Sequence, residues 1–174
     1  MDGSELPLGL VLDPKNPKLI SKLRELDQYD FTVISKKCER VLKWNPEDTD
    51  RLAKQAKQFL ALALLDPDYY HVPAYDADQY WHRMILQTTW YKNFCDSIFG
   101  FFLSHDPPEY PATLGEETID RSVALMKHWY GIIINRPAEC SGGGGGDHTH
   151  PATDVRPTES TLLPPTPGAR RRDS

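Results

Sequence analysis

The sequence predicts an all-α protein, a compact bundle of about five helices followed by a disordered C-terminal tail. Apolar residues recur every three or four positions in five segments, which is the spacing of the buried face of a helix. Capping residues, often followed by proline, precede several of these segments, as they do where helices begin. From about Arg136 onward Gly, Pro, Ser and Thr dominate, and such a composition cannot bury enough apolar surface to order a chain. We therefore predict a helical domain at residues 1–135 and a tail at residues 136–174.

The first two helices follow a short apolar arm. Asn16 and Pro17 give the first start signal, a capping residue followed by a proline at the first helical position. This helix is predicted to end near Leu26, and a second helix is predicted to begin near Asp30. Because Cys38 lies on the apolar face of the second helix, we predict a small core side chain there rather than a reactive thiol. That face carries Phe31, Ile34, Cys38, Val41 and Leu42.

The third helix begins with a similar signal. Asn45 and Pro46 are followed by two acids in the first turn, where the helix dipole favours negative charge. The helix is predicted to end near Leu65, because the residue before Pro67 disfavours helical backbone. Its predicted buried face consists of Leu52, Ala56, Phe59, Leu60, Ala63 and Leu64, and its predicted solvent-exposed face consists of Lys54, Lys57 and Gln58.

The fourth helix is predicted to be long. Asp76, with Gln79 three residues later, resembles a capping box in which Asp replaces Ser or Thr. Apolar and aromatic side chains continue from there to Leu103. We expect bends at Thr88–Thr89 and at Gly100.

A fifth helix is predicted after a proline-bounded loop that begins at Pro107. Thr113 and Glu116 form another capping box, and Gly131 ends the helix. The following Ile132–Ile134 is predicted to be a short extended piece that packs into the core.

The stretch from Asp76 to Pro107 is rich in aromatic and titratable residues, and the candidate polar site lies there. Asp78 and His82 are four positions apart, so in a helix they lie on one face, one turn from each other. Cys95 lies well beyond His82, roughly 220° around an unbroken helix. These two side chains can therefore share a ligand only if the helix breaks at Thr88–Thr89.

Two interpretations of this stretch stay open. In the first, His82 is a metal ligand or a proton-transfer group whose ring is oriented by Asp78 or Asp76. His105 approaches from the far end, and histidine with carboxylate suits zinc, iron or manganese. In the second, Asp78 pairs with a half-buried His82 to fix one helix against another, and His105 ends the helix, where the dipole favours a cation. Cys95 is a candidate nucleophile with a histidine base, although its apolar neighbours favour a core position.

The string around these residues is distinctive. It contains an Asp-x-x-Trp-His segment, a tyrosine about ten residues later, a cysteine and a Phe-Gly pair, at Asp78, Trp81, His82, Tyr91, Cys95, Phe99 and Gly100. From Asn45 to Pro107 the chain resembles the glycine-rich-domain-containing protein family, poorly characterised helical proteins of plants, fungi and bacteria. The resemblance implies a helical fold and carries no agreed biochemistry. Plant relatives often have Trp-His-x-His where this chain has Met84, so His82 is the sole histidine carried over within the motif.

Composition and motifs exclude several functional classes. The net charge of −5 is not that of a duplex nucleic-acid binder. The sequence lacks a phosphate-binding loop, a dinucleotide-binding glycine motif, a zinc-protease motif and a nucleophile elbow. Three cysteines without close spacing do not predict a disulfide framework. No stretch approaches the roughly 20 apolar residues of a membrane span, and we expect a cytoplasmic protein without a signal peptide.

We predict a non-enzymatic helical module that requires no cofactor and acts by binding a partner protein. The alternative is a small helical metalloprotein, or an accessory enzyme of a biosynthetic pathway, that uses His82 with Asp78 and His105 and holds a transition metal through His82 and His105. Under the first prediction His82 is satisfied by Asp78 or a backbone group. Under the second, Asp78 and His105 or His71 converge on one point beside His82.

Overall fold

A computed structural model describes the backbone of residues 5–105 and 113–134, and all of their side chains except those of residues 113–116. Within these residues it contains six α-helices and no strand, so the predicted all-α fold is confirmed. Three predictions lie outside the described residues: the tail at residues 136–174, the boundary at residue 135 and the helix stop at Pro107. The helices are α1 (Pro17–Gln28), α2 (Thr32–Leu42), α3 (Pro46–Leu65), α4 (Tyr75–Ile85), α5 (Thr88–Ile98) and α6 (Thr113–Tyr130), and a 3₁₀ turn, Pro7–Gly9, precedes them.

Two of the predicted helix starts are made by asparagine caps. The side chain of Asn16 accepts a hydrogen bond from the backbone N–H of Leu19, and that of Asn45 accepts one from Asp48. These bonds satisfy backbone donors that have no partner inside the helix, which confirms the two start signals.

The predicted cap at Asp76 is wrong. Helix α4 begins one residue earlier, and Ala74 occupies the cap position without a side-chain hydrogen bond. The carbonyl of Ala74 accepts from the N–H of Asp78, so the first turn already encloses Asp76. There the acid is favoured by the helix dipole, and its carboxylate lies 3.5 Å from Arg51.

Helix α3 is the centre of the fold and packs against α1, α2, α4 and α6. Its apolar face is buried much as predicted, but Gln58 is buried as well, at 4% exposure. The amide of Gln58 donates to the carbonyl of Leu8 at 2.9 Å. The Pro7–Gly9 turn therefore covers a face of α3 that its polar residues made look solvent-exposed.

On α2 the predicted apolar face is correct except at its end. Ile34 and Cys38 are fully buried, and Leu42 packs half-buried against the same core. Val41 is 62% exposed instead of buried. The stripe follows steps of four residues through Ile34, Cys38 and Leu42, which leaves Val41 at its edge.

The long fourth helix of the prediction is two helices in the structure. Helix α4 ends at Ile85 and α5 begins at Thr88, so the break lies next to the expected bend at Thr88–Thr89. After α5, Gly100 adopts φ +75°, a left-handed conformation that glycine accepts without steric cost. The chain turns there, and residues 101–105 run back along α5 towards α4.

Helix α6 is attached to the end of α3 by polar contacts. The guanidinium of Arg121 donates to both carboxylate oxygens of Asp66 at 2.7 Å, and its face covers the ring of Tyr69. The hydroxyl of Ser122 accepts from the N–H of Val72 at 2.8 Å. After the helix, alternate residues of the predicted Ile132–Ile134 piece pack on the core.

No helix in the described ranges combines the length and apolar character that a membrane crossing requires.

Candidate metal centre

The site begins with the i,i+4 pair on α4. Asp78 is buried, at 7% exposure, because this face of α4 packs on α3. One turn later, His82 directs Nδ1 to the Asp78 backbone carbonyl at 2.8 Å and to its Oδ2 at 3.2 Å. The His82 side chain is 45% exposed, so the pair extends from the core to the surface.

A third side chain reaches the pair from the segment that follows α5. The Nε2 atom of His105 lies 2.9 Å from Asp78 Oδ1. The ring centroid of His105 lies 4.5 Å from that of His82 and 4.4 Å from the Trp81 ring. The two oxygens of one carboxylate therefore each face an imidazole.

These three side chains lie close to the spacing of a metal centre. One potential ligand atom from each of Asp78, His82 and His105 lies within 4.8 Å of the other two, and the described part of the chain contains no other such group of three. Ligand atoms about 2.1 Å from a common zinc ion stand roughly 3.0–3.4 Å apart. Inward shifts of about 1 Å or less would thus bring the group to a metal-binding geometry.

One tautomer of His82 is compatible with this role. A hydrogen on Nδ1 would donate to the Asp78 carbonyl and leave the Nε2 lone pair for a metal. Metal-binding histidines commonly donate their other ring N–H to a backbone carbonyl or a carboxylate, which fixes the tautomer and the ring plane.

Cys95 does not belong to this group, although the helix break that would allow it is present. The thiol is fully buried in α5. Burial raises the pKa of Cys95, and hydrogen bonds with the Leu103 backbone and the Tyr91 side chain partly offset that rise. Cys95 therefore lies one helical turn from Tyr91 on α5 and is not part of the group around His82.

The other residues considered for the site lie elsewhere. His71 directs Nε2 to the carbonyl and carboxylate of Asp66, near the attachment of α6. Met84 is fully buried in the core.

A hydrogen-bond chain behind the site was not predicted. The indole N–H of Trp81 donates to the Tyr91 hydroxyl at 2.8 Å, and that hydroxyl donates to the carbonyl of Leu103 at 2.7 Å. In an unbroken helix Trp81 and Tyr91 would lie about 15 Å apart along the axis. Both positions belong to the distinctive string, which was the only signal that could have pointed to them.

The cysteines give a first testable prediction. Burial raises the pKa of Cys38 and of Cys95, so little reactive thiolate is present in the folded protein. In a Cys140→Ser variant at pH 8, we expect the chromogenic disulfide DTNB to react with both thiols on the order of 100-fold more slowly than in denaturant. Rapid release of one thiol equivalent from the native protein would contradict this burial and support a reactive Cys95.

A comparison with protein-family models matches residues 19–132 to the UCP032817-like family. The match covers more than half of the chain and contains all three residues of the candidate metal centre, and the chain therefore belongs to the UCP032817-like family. Neither the curated proteins nor the solved structures contain a match.

Proposed function

We propose that this member of the UCP032817-like family is a small helical metalloprotein that holds one divalent transition-metal ion between Asp78, His82 and His105. The observation that carries the proposal is the convergence of one carboxylate and two imidazoles within 4.8 Å. They come from two separate elements of the fold. Two histidines with one carboxylate form a ligand set suited to Zn²⁺, Fe²⁺ or Mn²⁺.

The charge of the site supports the same proposal. A carboxylate that is removed from water is costly unless a cation or several hydrogen bonds compensate it. Among the described residues, the partners of the Asp78 carboxylate are the two imidazoles, which are weak partners when neutral. A divalent ion would compensate the buried charge more fully.

Three protein ligands would leave at least one coordination position open. The exposed side of His82 borders solvent, so a water molecule or a small substrate could occupy that position. When bound there, the metal would supply Lewis-acid chemistry and lower the pKa of its bound water. Asp78 and His105 lie on the less exposed side and would hold the ion in place.

The decisive experiment measures metal in protein purified without a histidine tag. We expect elemental analysis to find a transition metal, and titration of metal-free protein with Co²⁺ to saturate near one equivalent. Replacing a ligand by His105→Ala or Asp78→Asn is expected to weaken Co²⁺ binding by at least about 100-fold, beyond the roughly 10–100-fold typical of outer partners. His128→Ala is the matched control, because His128 is exposed on α6.

Less than about 0.1 metal per chain as purified, together with no saturable Co²⁺ binding, would overturn the metal proposal. The cluster would then act as a polar clamp between α4 and the segment that carries His105. Our prediction of a partner-binding module would become the leading one. A separate groove of about 1030 Å³ favours that second candidate, since it contains the aromatic residues Tyr29 and Phe31 among charged side chains of both signs.

A further inference from the structure

We infer that Tyr91 is a positioning residue of this metal centre, because its buried hydroxyl joins the two chain segments that carry the ligands. The inference rests on the proposed function. It adds a residue that is not one of the three proposed ligands, yet would control the distance between them.

The hydroxyl of Tyr91 lies at a junction. It accepts a hydrogen bond from Trp81, the residue directly before His82 on α4. It donates a hydrogen bond to the carbonyl of Leu103, two residues before His105. Tyr91 itself is fully buried, so water does not compete for either bond. One oxygen atom therefore connects the indole of Trp81, next to His82, with the backbone near His105.

The Trp81 ring completes the connection. Its centroid lies 4.4 Å from that of His105, with an angle of 32° between the planes. The indole that donates to Tyr91 thus also supports one face of the His105 ring. A loss of the Tyr91 hydroxyl would leave the Trp81 N–H and the Leu103 carbonyl without this partner in the core, and we expect the indole and the returning segment to shift.

The segment that carries His105 depends strongly on this anchor. It leaves α5 at Gly100, where the backbone turns at φ +75°. Phe102 is 54% exposed, whereas Leu103 is buried. The backbone carbonyl of Leu103 accepts a hydrogen bond from Tyr91 on α5. Because a functional centre tolerates displacements of only about 0.5 Å, a small movement of this segment is enough to weaken metal binding.

The experiment compares two buried tyrosines. Tyr91→Phe removes the junction hydroxyl, and Tyr80→Phe is the matched control. Tyr80 is also fully buried, and its hydroxyl bonds to Ser35 at 2.8 Å on the side of α4 that faces α2. Both variants lose one buried hydroxyl, so we expect similar losses of stability in urea denaturation.

The two variants are expected to differ in their affinity for Co²⁺ and in the spectrum of the bound ion. Tyr91→Phe should weaken Co²⁺ binding by about 10–100-fold, the range found for residues that orient metal ligands. It should also change the visible absorption spectrum of the bound Co²⁺, which reports ligand geometry. Tyr80→Phe should retain both the wild-type affinity and the wild-type spectrum.

The two proposals fail in distinguishable ways. If the wild-type protein does not bind Co²⁺, the proposed function fails and this inference fails with it. If the wild type binds but Tyr91→Phe loses less than tenfold, or Tyr80→Phe loses as much as Tyr91→Phe, the positioning role alone is overturned. Should Tyr91→Phe fail to fold, Trp81→Phe applies the same criteria, because it removes the indole donor and keeps an aromatic ring against His105.

Discussion

Phe94→Ala is expected to lower the free energy of unfolding by about 3–5 kcal/mol, the cost of emptying a large aromatic site in a packed core. Phe94 is fully buried on α5. Its ring packs against five other aromatic rings, and the shortest centroid distance is 5.0 Å, to Tyr29. The surrounding rings are held on α5 and at the ends of α1, α2 and α5. They cannot collapse far into the space that alanine would leave, so most of the cavity would persist.

Urea denaturation followed by far-ultraviolet circular dichroism measures this loss. Phe102→Ala is the matched control, because Phe102 belongs to the same region but is 54% exposed. We expect it to cost less than about 1 kcal/mol. If Phe94→Ala leaves too little folded protein to measure, Phe94→Leu extends the series with a smaller cavity. Equal losses for Phe94→Ala and Phe102→Ala would contradict the packing described for α5.

The second large effect is expected where α6 joins the bundle. Asp66→Ala removes the carboxylate that receives both bonds of the Arg121 guanidinium. The two side chains are 16% and 19% exposed, so Arg121 would keep its charge in a poorly hydrated place. We expect a loss of about 2–3 kcal/mol, below the roughly 3–5 kcal/mol found when a fully buried pair is broken.

A double-mutant cycle isolates this pair. The coupling energy should be about 1–2 kcal/mol when it is calculated from Asp66→Ala, Arg121→Ala and the double variant. The exposed pair of Lys92 and Asp96 on α5 provides the control cycle, since its side chains are 65% and 52% exposed. Solvent screens that pair, and its coupling should not exceed about 0.5 kcal/mol. A coupling no larger at Asp66 than at Asp96 would refute the attachment of α6 through this contact.

Local signals in the sequence were sufficient for most of the fold. Asparagine followed by proline predicts a helix start without knowledge of the rest of the chain, and Asn16 and Asn45 form caps as expected. The errors lie where tertiary neighbours decide the outcome. Gln58 is polar, yet the N-terminal turn covers it and supplies its hydrogen-bond partner. Periodicity within one helix contains no information about a segment fifty positions away.

In the candidate site, too, local signals predict one contact, whereas tertiary neighbours decide the other. The pairing of Asp78 with His82 follows from the helical repeat alone. The approach of His105 requires both the break after Ile85 and the left-handed turn at Gly100, and neither position fixes the direction in which the chain continues. The contacts of Tyr91 with Trp81 and Leu103 could not be predicted for the same reason, because they exist only after the helix has broken.

The break between α4 and α5 also bears on the order in which the molecule assembles. Asp78 and His105 are 27 positions apart in sequence, and closing a loop of that length costs only about 3 kcal/mol of chain entropy. A helical hairpin of this size forms its contacts early, because loop closure between neighbouring segments is fast. The attachment of α6 through Arg121 spans 55 positions and closes a longer loop. We therefore expect the group of Asp78, His82 and His105 to form as part of a local folding unit before the last helix docks.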